Sequence, residues 1–187
     1  MKEPNPDLNT LKRVFILQDL QDTELAKVWG ASVPREFREG SVIMAEGEPG
    51  EKMYFLLEGE VEVTKRLLLP IDKTAHLERI MNRQLSKDGV TLGEMALIEN
   101  DVRSANVTAS TDCRMLELSK ENSLRLFNEN PAMGVKILFR LSQLLSQRLR
   151  KSDGDIVKLT TALVVALERQ NLNSNECPPP SAYFPLD

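Results

Sequence analysis

Glu94 and Arg103 stand nine residues apart in the run Gly93-Glu94-Met95-Ala96-Leu97-Ile98-Glu99-Asn100-Asp101-Val102-Arg103-Ser104-Ala105. Their side chains have complementary uses. A guanidinium is a planar fork of donors that suits a singly charged phosphodiester. A carboxylate accepts a hydrogen bond from a free hydroxyl, such as a ribose 2′-hydroxyl. Backbone N–H groups at the start of a helical turn favour an anion, and the short apolar segment 95–99 supplies such a turn behind Gly93. The run therefore holds the parts needed to bind a small ligand with one phosphate and one free hydroxyl.

Each residue taken alone has a plainer use. Glu94 suits the first turn of any helix, and Arg103 suits an exposed ion pair that contributes little. The ordered set, with Gly93, Ala96 and Ser104 in place, favours the binding role. No other constellation competes with it. His76 is the single histidine of the chain and reads as a loop residue, which argues against a cupin-type metal centre built from several histidines. Cys113 and Cys177 form no close-spaced metal or redox motif. No nucleophile stands near a base in a pattern that suggests catalysis, so no catalytic residue and no metal ligand is assigned. Gly47 and Gly59 read as turn glycines.

Three regions must position this run. Residues 1–31 read as N-terminal helices: Leu8, Leu11, Val14 and Phe15 fall at helical spacing, Asp22 suits an N-cap, and Gly30 suits a helix end. Residues 32–119 read as strands, with Val61 and Val63 alternating with Glu60, Glu62 and Thr64 and turn signals at Glu46-Gly47-Glu48-Pro49-Gly50 and Glu58-Gly59. Val107 and Ala109, then Met115, Leu116 and Leu118, predict two further strands. Pro70 argues against a central strand in the stretch from Leu67 to His76. Many short strands separated by turns point to a sandwich or barrel. Residues 120–171 turn helical, with Ser119 as a cap and Pro131 in a first turn. Val135, Leu138, Leu141, Leu145 and Leu149 form a stripe continued by Ile156, Leu159, Leu163 and Leu167, with Gly154 as a possible bend. Residues 172–187, with Pro178-Pro179-Pro180 and Pro185, read as an extended tail.

The 187 residues carry a formal net charge of −4. That balance argues against a general nucleic-acid binder, which clusters basic residues on one face. No apolar run approaches the roughly 20 residues of a membrane-spanning helix, and the polar start Met1-Lys2-Glu3-Pro4-Asn5-Pro6 lacks a secretory core. A reduced, cytoplasmic setting is expected.

Gly93-Glu94-x-Ala96-Leu97, the spacing to Arg103, and Ser104-Ala105 resemble the phosphate-binding cassette of cyclic-nucleotide-binding domains, in the superfamily of the catabolite activator protein and the protein kinase A regulatory subunit. Upstream, Phe37-Arg38-x-Gly40-x-Val42-Ile43, Glu46-Gly47-Glu48-Pro49-Gly50 and Met53-Tyr54-Phe55-Leu56-Leu57-x-Gly59-x-Val61 resemble the first half of that domain, and the similarity runs to about residue 160. The resemblance implies a mainly β fold with flanking helices: a double-stranded β-helix, or jelly roll, with N-terminal helices and a long C-terminal helix.

It also implies a role for each site residue. Arg103 would pair with the exocyclic oxygens of a cyclic phosphate and Ser104 would add a hydroxyl or N–H. Glu94 would accept from the ribose 2′-hydroxyl, and backbone groups of Gly93, Met95 and Ala96 would close around the ribose and phosphate. In the activator-protein branch a Thr-Ser pair on the long helix contacts adenine. Laying Arg140-Leu141-Ser142 and Arg148-Leu149 on that pattern puts Ser152 and Asp153 there; Ser152 keeps a hydroxyl and Asp153 departs. A hydroxyl after the arginine, as at Ser104, also occurs in guanine-binding relatives. Cyclic AMP is expected ahead of cyclic GMP. The implied protein is a regulatory sensor rather than an enzyme, a homodimer through its C-terminal helix, acting through a protein partner or through self-association. About twenty helical residues and the tail follow Lys151, too few for a helix-turn-helix, so DNA binding is not expected. The alternative is a degenerate member, a dimeric scaffold that binds no cyclic nucleotide.

Overall fold

A computed structural model describes residues 8–67, 77–99 and 102–174. Pro70, His76, Cys177 and the Pro-rich tail beyond Ser174 lie outside the described residues. The chain falls into two units divided between Ser142 and Gln143.

Among the described residues, every strand lies in the first unit. Eight strands, β1 (Val33–Phe37), β2 (Val42–Met44), β3 (Lys52–Glu58), β4 (Glu60–Leu67), β5 (Leu77–Leu85), β6 (Thr91–Leu92), β7 (Asn106–Ala109) and β8 (Cys113–Ser119), form two antiparallel sheets. Their orders are β1-β8-β3-β6 and β2-β7-β4-β5, the paired four-stranded sheets of a jelly roll. In β4 Val61 is buried and Glu60 and Glu62 are partly exposed, but the expected alternation fails at Thr64, which is buried after a register shift between Val63 and Thr64. β3 does not alternate: Met53, Tyr54, Phe55, Leu56 and Leu57 are all buried, because that sheet is covered on both faces.

One core lies between the sheets, built from Met44, Tyr54, Leu56, Val61, Leu92, Val107, Ala109 and Met115, among others. The opposite face of β3 and β8 buries Met53, Phe55, Leu116 and Leu118. There β3 touches α1 (Leu8–Arg13) and β8 touches α3 (Lys120–Glu129). Each large side chain buried in this way contributes roughly 1.5–3 kcal/mol.

The helices depart from expectation in several places. α1 stops at Arg13 and Phe15–Leu17 form a separate 3₁₀ turn, so Leu8 to Phe15 is not one stripe. α2 (Asp22–Ala31) is capped by Gln21 and not by Asp22: the Gln21 N–H donates to Glu24 Oε2 at 2.8 Å. Gly30 lies inside α2, not after it. Ser119 does cap α3, its Oγ accepting from the Asn122 N–H at 3.1 Å.

Pro131 opens α4 (Pro131–Ser174), a single helix of 44 residues that passes through Gly154 without a break and extends three residues into the predicted tail. In the first unit α4 buries Met133, Ile137 and Leu141, at steps of four, while Val135 and Leu138 are exposed. The packed face of these first turns is therefore offset from the predicted leucine stripe. In the second unit Leu149, Ile156, Leu159, Leu163 and Leu167 of that stripe are all exposed.

Candidate functional site

Gly93 adopts a left-handed conformation, φ +68° and ψ 24°, and caps a 3₁₀ turn over Glu94–Leu97. Turn closure comes from the N–H groups of Ile98 and Glu99, both donating to the Met95 carbonyl. The first amides of such a turn have no partner inside it. Leu97 is buried and anchors the turn, whereas Met95 is exposed. Ala96 contributes its backbone to the turn; Asn100 and Asp101 are outside the described residues.

Arg103 reaches the same place from the other side. Its backbone is pinned to the Glu46–Gly50 loop: the Arg103 N–H donates to the Glu48 carbonyl at 2.8 Å and the Gly47 N–H donates to the Arg103 carbonyl at 2.9 Å. Pro49 and Val102 form a bridge alongside. The side chain then runs across Gly50, where a Cβ would lie 3.1 Å from both Arg103 Cδ and Nε. Nη2 donates to the Lys52 carbonyl at 2.8 Å. Nη1 occupies the space next to Gly93 that a side chain would need. Two glycines thus make the slot in which the guanidinium lies.

Burial pulls the Arg103 guanidinium below its ordinary value, opposed by the acidic groups of Tyr54, Glu48 and Glu94. An arginine remains charged regardless, so the site presents a partly dehydrated cation. Glu94 is 3% exposed and close enough to favour that charge. Ser104 is exposed beside Arg103. The structure therefore gathers Gly93, Glu94, Met95, Ala96, Arg103 and Ser104 around one turn. Ser152 stands on the α4 segment that belongs to the second unit and is exposed.

A second polar cluster escaped the sequence reading. Glu117, 8% exposed, lies on β8 directly across from Tyr54 on β3. It accepts from Arg35 Nε and Nη2, each at 3.2 Å, and from the Tyr54 hydroxyl at 3.2 Å. Lys52 Nζ pairs with it at 2.9 Å. Burial pushes the Glu117 carboxyl up, but the Arg35 and Lys52 contacts outweigh it and hold the group below the usual carboxylate range. Burial, with the charge of Glu117 beside it, pushes the Tyr54 hydroxyl up. Lys52 links the clusters, since its carbonyl receives Arg103 while its ammonium holds Glu117. The available signal was a single carboxylate between Leu116 and Leu118, in the apolar stretch Met115 to Leu118.

Among the described residues no group of three or more His, Cys, Asp or Glu is placed to hold a metal ion, and no helix is long and apolar enough to cross a membrane.

The chain is an antiparallel jelly roll with flanking helices, carrying a glycine-capped turn against a partly buried arginine. The family model described as a cyclic nucleotide-binding domain matches residues 34–130, and the chain belongs to that family. It is 30% identical over 116 residues to a cAMP-dependent protein kinase regulatory subunit of Dictyostelium discoideum, covering 62% of this chain and 34% of that protein. Among solved structures it is similar to the catabolite activator protein of Thermus thermophilus, with a TM-score of 0.66, 26% identity and coverage of 78% of this chain and 62% of that one. It is also similar to the regulatory domain of Toxoplasma gondii PKA in complex with cAMP, with a TM-score of 0.60, 29% identity and coverage of 74% and 48%. The chain thus spans about a third to three fifths of these relatives.

Proposed function

We propose that this protein is a cyclic AMP sensor of regulatory rather than enzymatic function. The observation that carries the reading is the Arg103 guanidinium, partly dehydrated, fixed on the Lys52 carbonyl and set between Gly50 and Gly93. A cation held there without full hydration gains most from an anion that can accept its fork. Ser104 and the amides of the Glu94–Leu97 turn add donors for the same phosphate, and Glu94 takes the ribose hydroxyl. The similarity to a kinase regulatory domain in complex with cAMP supports adenine as the base.

The turn also supplies a route to a response. It touches α3, and α3 leads directly into α4. The first turns of α4 are tied to the N-terminal helices by Lys136 on Glu24 at 2.9 Å and by Arg140 on Asp19 at 2.6 Å. Arg140 also lies over the Phe15 ring, 5.4 Å from its centroid. A ligand that prefers one position of the turn shifts the balance between two arrangements of α3 and the start of α4. The exposed leucines of the second unit support a homodimer through α4, with the output passed to a protein partner in the cytoplasm.

Titration calorimetry of the full chain tests the reading. Cyclic AMP should bind with measurable heat and 5′-AMP, whose phosphate is dianionic and open, should not. Equal binding of the two, or of neither, would overturn it.

A further inference from the structure

Glu117 reaches the phosphate site through two residues that border Arg103. Lys52 and Tyr54 stand two apart on β3, so their side chains share a face of the sheet. In the ladder with β8, Tyr54 lies directly opposite Glu117 and Lys52 lies on its diagonal, within reach of a long side chain. Both oxygens of the buried carboxylate are in use. Oε1 takes Lys52 Nζ at 2.9 Å and Arg35 Nη2 at 3.2 Å. Oε2 takes Arg35 Nε and the Tyr54 hydroxyl, each at 3.2 Å. Stability alone does not call for such a cluster, because replacing a whole buried set of charges by apolar residues is often neutral or stabilising.

The same two β3 residues adjoin the cation. The Lys52 carbonyl accepts from Arg103 Nη2 at 2.8 Å and lies 3.0 Å from where a Gly93 Cβ would stand. The Tyr54 hydroxyl is within electrostatic reach of the guanidinium. Its one proton goes to Glu117, which leaves its lone pairs, and not its proton, for the cation nearby. We infer that Glu117 is a positioning residue for the phosphate-binding arginine: from the neighbouring strand it holds Lys52 and Tyr54, and through them the direction of the Arg103 fork. This rests on the cyclic-nucleotide reading above and adds what aims the cation within it. A fork held in one direction distinguishes the two exocyclic oxygens of a cyclic phosphate, whereas a loose one serves either. In Glu117→Gln the side chain keeps its volume but has one acceptor oxygen in place of two. Whichever way the amide turns, Lys52 or Tyr54 meets its NH2 group instead of a carboxylate oxygen.

The test uses the full chain and the two phosphorothioate diastereomers of cyclic AMP, which carry sulfur in place of one exocyclic oxygen or the other. The parent should prefer one diastereomer by about tenfold or more. In metal sites, losing the group that orients a ligand costs roughly tenfold to a hundredfold. Glu117→Gln should weaken cyclic AMP by about tenfold, the low end of that range, and bring the two diastereomers within about threefold of each other. The ratio of cyclic AMP to 2′-deoxy cyclic AMP should not move, since the sugar contact is untouched. Lys52→Met keeps the backbone carbonyl, cuts its tie to Glu117 and leaves the buried position intact. It should narrow the diastereomer ratio as well, and the double variant should add nothing beyond Glu117→Gln. An unchanged diastereomer ratio in both variants, with only the melting temperature lowered, overturns the role of Glu117 and leaves the sensor reading standing. Tighter binding of cyclic AMP by Glu117→Gln does the same. Failure of the parent to bind cyclic AMP at all overturns both.

Discussion

The Arg103 guanidinium fills the space that a side chain on Gly93 would need. The two residues are ten positions apart, and the left-handed φ of +68° at Gly93 is what lets the chain turn under the arginine. Neither backbone strain nor volume permits a Cβ there, because the Lys52 carbonyl and the Met44 sulfur also close in, at 3.0 and 3.1 Å. Gly93→Ala should therefore cost about 1–2 kcal/mol from backbone strain alone, lowering the melting temperature by about 2–4 °C per kcal/mol. It should also displace Arg103 and abolish most ligand binding. A melt and a titration on the same sample check both effects.

Glu94 is assigned to the sugar and Arg103 to the phosphate, so their losses should differ in kind. Glu94→Gln leaves an acceptor in place and should weaken cyclic AMP by about three- to tenfold, roughly 1 kcal/mol. The same substitution should make little difference to 2′-deoxy cyclic AMP, which offers no hydroxyl. An equal loss with both ligands would place Glu94 elsewhere in the site.

Glu117 gives the fold an acid-sensitive point. Its carboxyl sits below the usual range because contacts from Arg35 and Lys52 outweigh burial. A group depressed on folding stabilises above its unfolded value, near 4.3, and that contribution disappears as pH falls through the lowered folded value. Glu117→Gln should thus be less stable than the parent at pH 7, by about 1–3 kcal/mol, with the gap narrowing as pH falls below the ordinary carboxylate value of about 4.3. Urea denaturation across that range reads it; a gap independent of pH would dismiss the charged cluster.

What was legible in the chain was local. Val61 and Val63 announced a half-buried strand, Ser119 and Pro131 announced helix starts, and the run from Gly93 to Arg103 announced a turn. What was hidden depends on register and reciprocity. The bond from Arg35 to Glu117 joins residues 82 apart, and only the pairing of β1 with β8 brings them together. Gln21 is a weak cap by type; it serves because Glu24 reaches back to its N–H. Gly154 did not interrupt α4, since a helix of 44 residues absorbs a glycine that costs about 1 kcal/mol. The packed face of the first turns of α4, Met133, Ile137 and Leu141, was obscured by equally apolar neighbours on its other sides.

Leu145, Leu149, Ser152, Ile156, Leu159 and Leu163 follow one another at alternating steps of four and three, the spacing of a coiled-coil seam. Leu149, Ile156 and Leu163 are 63%, 58% and 59% exposed in the single chain. The parent should run as a dimer in light scattering, and Ile156→Asp should run as a monomer, because a charge would be buried at the seam without a partner. A parent that is monomeric at high concentration would remove the dimer from the account.

The most direct test is titration of cyclic AMP into the parent and into Arg103→Ala at one fixed salt concentration. The account predicts a loss of about a hundredfold or more, roughly 2.7 kcal/mol, because the phosphate would be left in the pocket without its cation. Affinities for the two proteins within a factor of two or three would contradict it.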